Sequence, residues 1–288
     1  MRDIVLYGAA ALGYAALALH FWKSRWHPAP DPEHARAPGL AAWERAALLL
    51  PLALHGWLLA AELFVAAELR FGFAQALSVM LWLGIAIYWV ESLFLRLDGF
   101  EPLILPPAAL AVVLPAIFPG LVTSSAHAAT LAFKLHLALA MLAYSLFTIA
   151  MLHAVLMAVV ERRLHHARRA PGAGLSGPLG GPLAHVPPLL TLERLLFHTI
   201  AAAFVLLTLT LATGFVFSEV LFGRAMRFDH KTLFAIVSWG TFALLLGGRW
   251  LRGWRGRTAL RWTLAGFVFL LLAYVGSRFV LEVVLGRA

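Results

Sequence analysis

Eight apolar runs divide this 288-residue chain, most of them near 20 residues long. That is about the length an α-helix needs to cross the hydrocarbon of a bilayer. They occupy roughly residues 4–22, 44–64, 73–95, 102–118, 130–160, 193–217, 231–248 and 259–283. Ionisable groups are too sparse within them to interrupt a span, so the fold expected is all-α. The chain reads as a polytopic membrane protein of about eight transmembrane helices, forming one integral membrane domain over residues 1–288. The fourth run, PLILPPAALAVVLPAIFPG, is the irregular one. Its prolines break the hydrogen-bond ladder, and neighbouring helices must then cover the freed carbonyls.

Composition agrees with this reading: 62% of residues are hydrophobic and 13% charged, with a mean hydropathy of +0.85, outside the usual soluble range. Lys and Arg in alternating loops set the orientation of such a chain. With the N-terminus outside, 15 of the 23 fall on the cytoplasmic side and 8 on the outer side, so both termini are expected outside. The net charge of +9 then resides mainly in loops facing an anionic leaflet. It is not the footprint of a nucleic-acid binder, because the aromatic residues lie in the apolar runs. The first run contains Ala16-Leu17-Ala18, which resembles a signal-peptide cleavage site. However, Asp3 offsets Arg2, and Lys23 and Arg25 follow the run directly, as in a retained helix. The absence of cysteine excludes disulfides and thiolate ligands, so any thiol chemistry belongs to a partner.

Two polar loops stand out. KSRWHPAPDPEHARAPGL is a proline-rich connector, and its His27 and His34 have no metal-ligand spacing. The segment 161–191 begins as a charged extension of the fifth helix and becomes a Gly/Pro linker ending at Thr191, the expected N-cap of the sixth.

Ionisable groups in or beside spans are costly and usually face a protein interior, which makes them the first candidates for function. His136 and His230 begin the fifth and seventh helices at the outer side, while Arg278 and Glu282 stand one turn apart near the end of the eighth. With Glu219, these groups come from four helices and are expected to share one depth. His55 lies mid-membrane in the second helix, with Glu62 seven residues on and nearly on the same face. Each has a bland reading as well. His230 with Asp229 and Lys231 can be a helix cap and interfacial anchor, and Arg278/Glu282 a helix-end ion pair. His136 can be an interhelical hydrogen bond. His153 and His198 read as packing or anchoring residues. The sharper reading is that imidazoles from two helices hold a haem iron and interfacial Lys or Arg meets its propionates.

The stretches KLHLALAMLAYSLFTIAML, LERLLFHTIAAAFVLLTLTLATG and HKTLFAIVSWGTFALLLGGRWLRGWRGRTALRWTLAGFVFLLLAYVGSRFVLEVVL resemble the cytochrome c assembly protein family, haem-handling membrane proteins of cytochrome c biogenesis. The likeness is greater to its YpjD-like (HemX-like) bacterial inner-membrane branch. The GWRG turn followed by the GF…Y.GS helix is its most specific part. By that resemblance His136 matches an outer-side haem ligand, and His55 falls where an embedded histidine is expected. The resemblance also expects histidines near Gly247 and Glu282, and a Trp-rich outer segment where this chain has SEVLFGRAMRFDHKT. On these grounds His136 and His230 form the expected outer pair, with Arg278 or Lys134 near the propionates. The function expected is non-catalytic: binding or presenting haem at the outer face of the bacterial inner membrane. The partners expected are the lipid bilayer and cytochrome c maturation components or an apocytochrome. The alternatives are a haem-free membrane assembly subunit and a small-molecule transporter.

Overall fold

The computed structural model describes residues 2–26, 39–65, 70–95, 99–121, 130–169, 189–222 and 229–286. Their regular structure is helical throughout, apart from a single bridge residue, Arg70. The connector with His27 and His34, the Gly/Pro linker from 170 to 188 and residues 223–228 lie outside them, and so does the side chain of Glu219.

Helices α1 (Arg2–Phe21), α2 (Ala42–Ala60), α3 (Phe73–Phe94), α4 (Glu101–Ala111) and α5 (Leu114–Ile117) precede α6 (Leu131–Arg169). They are followed by α7 (Leu189–Phe222), α8 (His230–Arg252) and α9 (Gly256–Leu271), the last continuing in π and α turns to Val284. Seven of these are long and apolar enough to cross a bilayer, and α4–α5 is the shorter apolar piece, Glu101–Ile117. Thr191 lies inside α7, which is already helical at Leu189. The expected cap is therefore an interior residue. The charged extension of α6 continues as helix to Arg169.

The fourth run splits at Val112–Val113, yet it still passes from one end of the bundle to the other. It leaves one end at Glu101, whose Oε1 accepts from the Tyr88 hydroxyl at 2.6 Å. At the far side Phe118 packs its ring 5.1 Å from Phe73 and accepts from Gln75 Nε2 through its carbonyl. Tyr88 and Phe73 are near opposite ends of α3, separated by about 22 Å of helix rise. Pro106 and Pro107 face outward, while Ile104, Leu105, Ala108 and Ala111 face the core. The proline-freed backbone is thus backed by α1 and α3 on the buried side.

Two polar end layers result. At the Arg25 end, buried Glu44 accepts from His20, Arg25 and the Ala41 N–H, and Arg249 donates to Glu193 at 2.6 Å. At the Arg278 end are Gln75, Lys231, Tyr274 and Glu282. Between them α6 forms the axis of the bundle: 72% of its apolar window is buried, against 22% for α8 and α9. Phe147 of α6 stacks on Phe242 of α8 with centroids 3.9 Å apart.

Candidate functional site

Helices α6, α7, α8 and α9 join Gln75 of α3 in bringing polar side chains to the Arg278 end. His136 follows the first turn of α6 and is half-buried, because Gly214 of α7 opposite has no side chain; a Cβ there would lie 3.4 Å from its Cε1. Its Nδ1 is 2.9 Å from Thr213 Oγ1. Lys231, in the first turn of α8, places its Nζ 5.1 Å from the centroid of the Tyr274 ring and is within electrostatic reach of His136. Arg278, one turn beyond Tyr274, stands with its Cζ 5.8 Å from the centroid of the same ring. Two cations therefore share one aromatic residue, an arrangement that cation–π attraction supports against their mutual repulsion.

The tripeptide Asp229-His230-Lys231 divides its work. Asp229 caps α8, its Oδ1 accepting from the Thr232 N–H at 2.9 Å. Lys231 turns to Tyr274, and His230 between them is exposed. Lys134 is also exposed; two residues from His136, it is turned about 200° around α6. Arg278 is thus joined at Tyr274 by Lys231, a residue that reads from sequence as an interfacial anchor. Glu282 occupies the place where the resemblance expects a histidine. Its carboxylate lies against Gly72 at the start of α3. A Cβ on Gly72 would come within 2.5 Å of Glu282 Oε2, so only glycine permits that approach. An anionic group at a helix N-terminus is favoured by the exposed amides there.

His55 is not part of this end. It is fully buried between three helices, its Nε2 2.8 Å from Ser78 Oγ and its Nδ1 3.3 Å from the Tyr14 hydroxyl. Both nitrogens are engaged, so it serves as an interhelical node. Glu62, placed on the same face from sequence, accepts instead from Gln75 Nε2 nearer the Arg278 end. Among the described residues no three His, Asp or Glu side chains converge as a metal-binding group.

Residues 43–285 match the family model described as Cytochrome C assembly protein. The chain is 35% identical over 156 residues to the inner membrane protein YpjD of Escherichia coli (strain K12), covering 54% of each protein. It is 29% identical over 154 residues to the cytochrome c biogenesis protein CcsA of Prochlorococcus marinus (strain MIT 9515), covering 50% of this chain and 49% of that protein. The chain thus spans about half the length of the curated relatives it matches. No solved structure matches it.

Proposed function

The chain belongs to the cytochrome c assembly protein family, and from that premise we propose that it is an inner-membrane protein that binds haem at its Arg278 end and presents it to a partner. The observation that carries this reading is Lys231, which joins Arg278 at Tyr274 and lies within electrostatic reach of the half-buried imidazole of His136. These residues fit the group. An imidazole suits the iron and the cation pair suits carboxylates, in a region that the helices partly shield from water. Bound haem would supply a redox-active iron that exchanges ligands. His136 would hold that iron from α6, exposed His230 would offer a second imidazole, and Lys231 and Arg278 would receive the propionates. Placing this end outside puts the arginine-rich end against the cytoplasmic leaflet. The partner is then a maturation component or an apocytochrome.

A second reading is a haem-free assembly subunit. It is favoured by Glu282, whose carboxylate packs against the start of α3 in the place of an expected histidine. Ultraviolet-visible spectra of the detergent-purified protein, oxidised and reduced, separate the two readings. Haem binding predicts a Soret band that is lost in His136→Ala and shifted in His230→Ala. No band in wild-type protein from cells supplied with haem sinks the proposal and leaves the assembly subunit.

A further inference from the structure

Thr213 has carbonyl acceptors for its hydroxyl on its own helix. Its Oγ1 donates back along α7 to the Leu209 carbonyl at 2.8 Å, with the Thr210 carbonyl at 3.1 Å. The same oxygen is 2.9 Å from His136 Nδ1. A hydroxyl has one proton, so with that proton on a carbonyl the oxygen can only accept from the ring. Thr208, nearly a turn and a half earlier on α7, provides an internal control. It too donates to the carbonyl four residues back, Phe204, and it receives Trp239 Nε1 at 2.9 Å. An indole N–H is donor only, so that direction is certain. Thr208 of TLTLATG thus presents an acceptor oxygen to a ring N–H on α8, and Thr213 stands in the same relation to the His136 ring on α6.

We infer that Thr213 is a positioning residue that holds His136 in the Nδ1–H tautomer, so that Nε2 carries the lone pair and is the atom through which this histidine takes a metal. The ring nitrogen that binds a metal is set by the hydrogen bond of the other nitrogen. Removing such an outer partner typically weakens metal binding about 10- to 100-fold. The tautomer stands on the hydrogen bonds alone. The ligand role rests on the haem reading above, and the two are tested separately.

The tautomer is read by nitrogen NMR of histidine-labelled apoprotein in detergent, with His136 assigned by its loss in His136→Gln. Wild type and Thr213→Ser are expected to show a protonated Nδ1 and an unprotonated Nε2. Thr213→Val, nearly the same shape without the acceptor, is expected to lose that preference. An Nε2–H ring in wild type, or no change in Thr213→Val, overturns the assignment. The second arm titrates each apoprotein with ferric haem and reads the Soret band. Thr213→Val is expected to bind about tenfold or more weakly, with Thr213→Ser restoring affinity. Thr208→Val should alter Trp239 fluorescence and leave haem affinity unchanged. Equal haem affinity in Thr213→Val and wild type overturns the ligand role. If wild type itself binds no haem, both the site reading and that role fall, while the tautomer result stands or fails by itself.

Discussion

His55 illustrates how a buried polar group is accommodated in this protein. With no water at that depth, each of its ring nitrogens needs a protein partner, and Tyr14 and Ser78 supply them from the helices on either side. The three side chains are each almost wholly buried. Ser78→Ala removes one partner and leaves the other nitrogen's bond intact. It is expected to destabilise the protein by about 1–3 kcal/mol, the cost of an unmet buried group, measured as a lower midpoint of thermal unfolding in detergent. Tyr14→Phe should cost less at its longer separation, and the double variant should cost less than the two single changes added, because they share one ring. No loss in Ser78→Ala would mean that the ring turns to another acceptor. The position of His55 in an apolar run marks it as needing a partner. The identity of that partner was not legible, because Tyr14 and Ser78 lie on other helices and a one-dimensional pattern carries no pairing.

The turn between α8 and α9 shows which sequence signals survive folding. Gly253 ends α8 with φ +65°, a left-handed conformation that side-chain-bearing residues avoid, and its N–H returns to the Arg249 carbonyl. Trp254 then folds back over Gly248, where a Cβ would collide with the indole ring, and stacks on Trp262 with centroids 5.6 Å apart. Arg249 ties the turn to α7 through Glu193 and lies over the Phe197 ring at 4.6 Å. Gly248→Ala is expected to expel the indole and destabilise the protein by about 1–3 kcal/mol, the usual cost of overpacking. Loss of the near-ultraviolet circular dichroism of the tryptophan pair is the readout; an unchanged spectrum would show that the indole has room to move. The GWRG motif builds this turn: Gly253 and Gly256 both take positive φ, and Trp254 between them reaches back to Gly248, which lies outside the motif. α4–α5 was the opposite case. Its prolines argued against a regular span, and only its packing along α3 shows that a split, short helix passes between the two polar layers.

Among the described residues, eight passages between the layers place Arg2 and Gly286 at the same end. Because the chain has no cysteine, single cysteines can report on each side. Ala288→Cys is expected to react with a membrane-impermeant maleimide in intact cells, and Ser176→Cys only after permeabilisation. The reverse pattern would invert the orientation and place the His136 end inside the cell. Helix number and the imbalance of charge were legible from periodicity and loop composition. The grouping of Lys231 with Tyr274 and Arg278 was not, since it depends on how α8 rotates against the end of α9. α6 runs unbroken for 39 residues from beside His136 to Arg169. That is about 58 Å, nearly twice the thickness of the hydrocarbon, about 30 Å. Such a rod behaves as a piston with a handle in water: a tilt imposed on its charged tip by anything that grips Glu161 or Arg162 would be delivered, without an intervening joint, to the histidine at its other end.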